Sequence, residues 1–324
     1  MNRILSLLAA SVALAQPVAA AGFADPLDTP AVVSAKATRV LVNGLAQAGS
    51  RLVAVGQRGH VLLSEDQGQT WSQVGTPAST DLLALSFVTA REGWAVGHDG
   101  IILHTSDAGA RWERQFDGRR ATALGDKPLL DVWFANVREG MAVGAFGSAW
   151  CTSDGGATWT DCAARIDNPK ALHLNAIRQV GDALYLVGEQ GQVWRQGAGS
   201  SYFTAVPTSY RGSLFGITGD ASQLIAYGLR GSAFRSTDGG RNWTVIETGI
   251  RTGITAGLAL PGGGFALLGQ GGQVLLSRDG TRFSALAGAA PGPVSCALAG
   301  RSQLVIGGAR GLRVQSLIPH QEKP

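Results

Sequence analysis

Five aspartates recur beside aromatic residues at matched positions, a pairing of carboxylate and ring that could serve sugar chemistry. Asp66, Asp107, Asp154 and Asp238 are each followed five residues later by Trp71, Trp112, Trp159 and Trp243, and Asp279 is followed one residue sooner by Phe283. A retaining glycoside hydrolase needs two carboxylates about 5 Å apart on one surface. These five instead stand in copies of S/T-x-D, typified by TSDGGATW at 152–159 and STDGGRNW at 236–243. A short carboxylate with a nearby glycine also accepts hydrogen bonds from the amides of its own turn. Five dispersed copies cannot share one reaction, so a structural role between strands is expected of them.

The elements that would carry these turns show themselves by repetition. An apolar run ending in G-x-x-G occurs seven times, as VGQRG, VGHDG, VGAFG, VGEQG, YGLRG, LGQGG and GGARG. Their first glycines are Gly56, Gly97, Gly144, Gly188, Gly228, Gly269 and Gly308, a period near 40 residues. Each period divides into four short strands. In the second unit these are LLALSFV, GWAVG, IILHT and a strand beginning at Trp112. Such a period predicts an all-β, seven-bladed β-propeller of four-stranded antiparallel blades. The five aspartates fall ten residues after the first glycine of their units; the fourth unit lacks its aspartate and the seventh ends before one. The last unit also lacks an outer strand. Residues 30–36, PAVVSAK, are therefore expected to supply it and close the ring, since an open ring leaves an unpaired edge.

The ends and composition fit that reading. Residues 1–21 carry Arg3, an apolar run and small residues, the layout of a signal peptide, leaving 22–324 as one propeller domain. Export to a periplasm, no further membrane span and a monomer are expected. The 46 glycines among 324 residues suit glycine-punctuated strands, and the net charge of +4 matters only where basic residues cluster. Cys151 and Cys162 bracket one aspartate turn and could face each other across it, though the sequence does not fix the register; Cys296 is left over. The five histidines are scattered and no cysteines have zinc spacing, so no metal and no cofactor are expected. Nucleic acid binding is disfavoured, because no basic stripe is interleaved with aromatics.

In an antiparallel four-stranded blade, the turn between strands 2 and 3 and the link to the next blade emerge on one face. The aspartate turns emerge on the other. The residue before the second glycine of the repeat is Arg58, Arg230 and Arg310 in units 1, 5 and 7. The links add Arg211, Arg251, Arg119, Arg120 and Lys127. Guanidinium forks suit carboxylates, so this face is expected to bind a protein client through an acidic or C-terminal segment.

The combination VGxxGxxxxSxDxGxxW, clearest in HDGIILHTSDAGARW (98–112) and LRGSAFRSTDGGRNW (229–243), resembles the photosystem II stability and assembly factor-like family of Asp-box, or BNR-repeat, propellers. The resemblance implies a non-enzymatic assembly factor of thylakoid lumen or periplasm for a membrane or envelope complex. It further implies an arginine patch for the client, carried here to Arg58, Arg230 and Arg310. The alternative is a sialidase-like glycoside hydrolase or a carbohydrate-binding propeller. A sialidase needs an arginine triad, a tyrosine with a glutamate partner and an aspartate acid. Tyr210 beside Arg211 lies on the right face without such partners, and no spacing singles out Asp81, Asp99 or Asp131.

Overall fold

The computed structural model describes residues 24–121 and 125–317. The signal-peptide expectation for residues 1–21 falls outside them. Seven antiparallel sheets follow one another in chain order, and six have four strands. Blade 1 runs through Val42–Ala48, Arg51–Gly56, Val61–Ser64 and Ser72–Val74; blade 2 through Leu82–Phe87, Gly93–Gly97, Ile102–Thr105 and Glu113–Phe116. Blades 3 to 6 begin at Leu129–Phe134, Leu174–Val180, Leu214–Gly219 and Ile254–Ala259. Blade 7 has three strands, Cys296–Ala299, Gln303–Gly308 and Gly311–Ser316. The only helices among the described residues are three-residue 3-10 turns.

The second strands are apolar at almost every position because each is covered on both sheet faces by a neighbouring blade. Gly93–Gly97, Gly140–Gly144, Leu224–Gly228 and Phe265–Gly269 are buried throughout. The core is accordingly a ring of seams. At one seam Trp94, 1% exposed, stacks on Phe134 of the next blade at 3.5 Å between ring centroids. Side chains also stitch neighbouring blades together: Asn43 Nδ2 and Asn175 Nδ2 donate to the carbonyls that begin the next blade's inner strand, Leu82 O and Leu214 O, and Thr255 Oγ1 to Val294 O just before that of blade 7, at 2.7–2.9 Å.

Both glycines of the repeat are required, for different reasons. The first has extended backbone, but a Cβ there would lie about 2 Å from a carbonyl just before the blade's own inner strand, as at Gly56 against Leu41 O (2.1 Å) and Gly97 against Asp81 O (2.0 Å). The second has positive φ and lies under the link to the next blade, 2.0 Å from Ala78 O at Gly59 and from Ile250 O at Gly231. Buried threonines lock the same joint: Thr76, Thr208 and Thr248 donate their hydroxyls to the carbonyls of Gly59, Gly191 and Gly231.

Ring closure differs from the expectation. Residues 30–36 form no strand and do not complete blade 7. Pro30 has no amide to donate, and the segment's bonds go to blade 1 instead: Ala31 N donates to Thr76 O, Ser34 N to Gln73 Oε1, and Gln73 Nε2 to Val32 O. The closing piece is the following turn, Ala37–Arg39. A Cβ on Gly311 would meet Thr38 O at 2.0 Å, the contact that a link makes at Gly59, Gly191 and Gly231. Val42, Ala54 and Leu62 of blade 1 then pack with Cys296 and Leu312 of blade 7.

This closure predicts a difference between two glycines. Gly249 and Gly311 both have positive φ, but a Cβ at Gly249 would meet nothing within 4 Å. Gly249→Ala is expected to cost about 1–2 kcal/mol, the penalty of left-handed backbone alone. Gly311→Ala should cost more in urea unfolding, because Thr38 must also move; equal costs would contradict closure by this turn.

Candidate functional site

The aspartate turns are geometrically alike and self-contained. In blade 1, Thr70 N and Oγ1 donate to the Asp66 carboxylate at 2.9 and 2.5 Å, Ser64 Oγ donates to it at 2.8 Å, and Gly68 N donates to Ser64 Oγ at 2.8 Å. Asp154 and Asp238 repeat the set with Thr158 and Asn242, and Asp279 does so in a tighter form with Thr281. These bonds leave the carboxylates no free role. They hold Asp66 and Asp154, chiefly through threonine hydroxyls, and Asp238 and Asp279, chiefly through backbone amides, down to about 2.

Each tryptophan reaches the preceding blade. Trp112 packs on Val53 and Leu63 of blade 1, Trp159 on Trp94 and Val96 of blade 2, and Trp243 Nε1 donates to Val206 O of blade 4. In blade 1, Trp71 packs against the closing cluster of Ala37, Val42, Ala54 and Leu62, which Cys296 and Leu312 of blade 7 also cover. Cys151 and Cys162 form a disulfide, Cα atoms 5.9 Å apart, bracketing the blade 3 turn and its two-residue outer strand Thr160–Asp161. The aspartate turns share a face with the turns between strands 1 and 2, since Ala108 N donates to Arg91 O and Gly155 N to Arg138 O.

The opposite face carries the G-x-x-G turns and the links. At the residue before the second glycine the backbone is left-handed in blades 1 to 5: Arg58, Asp99, Phe146, Gln190 and Arg230 have φ of 53–57°. That conformation is costly for a bulky side chain. Arg58, Phe146, Gln190 and Arg230 stand exposed there. Arg310, in the seventh turn, is exposed too, beside Arg313, whose pKa burial and the Arg310 charge depress. Arg230 and Arg251 line one groove of about 590 Å³ with Tyr210 and Glu247. Arg58 and Arg310 lie on the neighbouring blades 1 and 7. Among the described residues, the side chains of Arg58, Arg211, Arg230, Arg251 and Arg310 have no hydrogen-bond or ion-pair partner.

The long link is different. Arg119 is held by Asp25, Asp28 and the buried Asp117, Arg120 donates to Gln115 O, and Lys127 is half-buried and engaged. Arg114, which pairs with Asp28 and Asp117, and the acidic N-terminal segment that supplies Asp25 and Asp28 are further parts of this cluster that residue types and spacing did not single out. Nor did they single out Phe146, 60% exposed at its left-handed position.

The acidic residues considered for hydrolysis are already bonded. Asp81 accepts from Arg58 N at 2.7 Å, and Asp99 from Thr80 Oγ1 at 2.5 Å. Asp131 is buried beside the central channel, a cavity of about 470 Å³, where it accepts from Ile177 N, Val132 N and Arg178. Burial pushes Asp131 up against the pull of Arg178. Tyr210 Oη donates to Leu229 O at 3.0 Å, and Tyr227 lies over Gly216 and Gly257 with its pKa raised by burial. No cluster of three or more potential metal ligands exists among the described residues.

A family model described as Photosynthesis system II assembly factor YCF48 matches residues 46–120 and 121–259, more than half of the chain. The chain belongs to this family. Its description names an assembly factor and not an enzyme. Among curated proteins, the chain is 38% identical over 66 residues to a photosystem II stability/assembly factor HCF136, chloroplastic, of Oryza sativa subsp. japonica, and 34% identical over 71 residues to that of Arabidopsis thaliana. These alignments cover 18% and 20% of the chain, and only 16% and 17% of the relatives. Among solved structures, YCF48 bound to D1 peptide superposes with a TM-score of 0.71 at 18% identity, covering 87% of this chain and 94% of the other. YCF48 from Cyanidioschyzon merolae gives 0.67 at 17% identity, covering 86% and 96%. The WD40 propeller domain of Doa1 gives 0.66 at 12% identity, so the likeness in fold reaches beyond the family.

The aspartate turns yield a pH test with a definite sign. Their folded pKa values of about 2 lie below the ordinary 3.8, so their stabilisation is complete above about pH 4 and is lost as pH falls toward 2. Asp154→Asn and Asp238→Asn should lower the melting temperature at pH 6, and the gap from the parent should close by pH 2. A gap unchanged with pH would contradict this role.

Proposed function

We propose that the chain is a non-catalytic assembly or stability factor that holds a protein client on its link face. The observation that carries this reading is the set of exposed arginines without partners, Arg58, Arg211, Arg230, Arg251 and Arg310, gathered on one face of a propeller from an assembly-factor family. A guanidinium presents a planar pair of donors to a carboxylate. The fitting client is an acidic segment or a chain terminus of a membrane or envelope protein. A solved relative of the same fold was captured with a D1 peptide, which supports a peptide as the form of ligand. The proposed setting is an exported one, a periplasm or a thylakoid lumen. No helix among the described residues is long and apolar enough to cross a membrane, consistent with a factor that meets its client from the aqueous side.

The test uses a labelled acidic ten-residue peptide with a free C-terminus and its amidated form. A hydrogen bond to a charged group contributes about 1.5–3 kcal/mol, so replacing Arg58, Arg230 or Arg310 by glutamate should weaken binding by about tenfold or more each. Melting temperatures should stay near the parent's. Arg241→Glu and Arg278→Glu, exposed on the aspartate-turn face, should leave binding unchanged. Equal losses from both faces, or none from the first, would overturn the assignment.

A further inference from the structure

The N-terminal segment shows the link face already holding an acidic peptide, one that belongs to the chain itself. Residues 25–28, Asp-Pro-Leu-Asp, form a compact turn in which Asp25 caps Leu27 N and its carbonyl accepts from Asp28 N. Leu27 is 3% exposed, seated at the seam of blades 1 and 2 with Ala78, Leu82 and Ile101. Arg114 donates to Leu27 O and to Asp28 Oδ1, the latter at 3.1 Å. Arg119 donates to Asp28 Oδ2 at 2.6 Å and to Asp25 Oδ2 at 3.1 Å.

The receptor half of this contact is built without the segment. Asp117, 2% exposed, holds Arg119 through Nε and Nη2 at 3.2 and 3.1 Å and lies 3.4 Å from Arg114 Nε. Both forks are thereby braced by a residue that does not belong to the segment. The segment, by contrast, is lightly held. Its ion pairs lie at the surface, where solvent weakens them, and Ser79 N to Pro26 O is its one backbone-to-backbone bond to the blades within 25–28. Val32 and Val33 beyond it are 73% and 67% exposed. A ligand offering the same groups would exchange like contacts for like.

We propose that the seam of blades 1 and 2 is a receptor for a peptide with two carboxylates flanking an apolar side chain, filled in cis by residues 25–28 until a partner segment of that chemistry displaces them. The site extends the link face, since Gly118 packs beneath Asp99 O, next to the turn that Arg58 occupies in blade 1. The inference rests on the reading of that face as a binder of acidic segments, but it uses different residues and fails separately.

The test is a labelled peptide of the chain's own residues 24–31, ADPLDTPA, added in trans to the full chain and followed by fluorescence anisotropy. Asp25→Asn with Asp28→Asn, which alters only surface carboxylates, should bind the peptide at least tenfold more tightly than the parent. Adding Arg119→Ala should abolish the gain. In the parent, excess peptide should speed amide hydrogen exchange at Leu27 as the segment is displaced. No gain in the double variant, with its melting temperature unchanged, would overturn the proposal, as would a gain that survives Arg119→Ala. Loss of acidic-peptide binding on charge reversal at Arg58, Arg230 and Arg310 reports on the wider face separately from this seam.

Discussion

The ring depends at four of its blades on one close approach: a carbonyl lying where a Cβ would be on the second glycine of the repeat. A link makes that contact at Gly59, Gly191 and Gly231, and the turn at Thr38 makes it for the last blade at Gly311. The residue before that glycine is left-handed in blades 1 to 5, and Arg58, Phe146, Gln190 and Arg230 stand exposed on the link face.

The two faces divide the work accordingly. On one, aspartate turns consume their own carboxylates in local hydrogen bonds and send a tryptophan onto the preceding blade, so stability is built there with little chemistry left over. On the other, Arg230 and Arg251 line a groove and Phe146 stands exposed in blade 3. On that second face Asp25 and Asp28 of the N-terminal segment settle onto Arg114 and Arg119 with Leu27 beneath them.

The repeat was legible in the sequence because seven glycine pairs at a period near 40 admit few other folds, and the aspartate turns followed from their register within it. Closure was misread. Residues 30–36 look like a strand by composition, but a strand needs an edge to pair with, and the link-like fit of Thr38 over Gly311 cannot be seen in residue types alone. The arginines at the turns were placed on the correct face by topology. Arg119 looked equally available, yet besides its near neighbour Asp117 it is held by Asp25 and Asp28 about 90 residues away in sequence, a separation over which charge pairing leaves no local signal. The disulfide lay between: the spacing of Cys151 and Cys162 allowed it, and only the strand register brought their Cα atoms to 5.9 Å.

The most direct test of the account places a photoreactive amino acid at Leu229, exposed on the link face, and in a second protein at Val137, exposed on the aspartate-turn face. Each is expressed with its natural partners, irradiated, and its crosslinks mapped by mass spectrometry. The account predicts that Leu229 captures an acidic or terminal segment of a membrane or envelope protein and that Val137 does not. Capture of the same segment from Val137 alone, or from both positions equally, would contradict it.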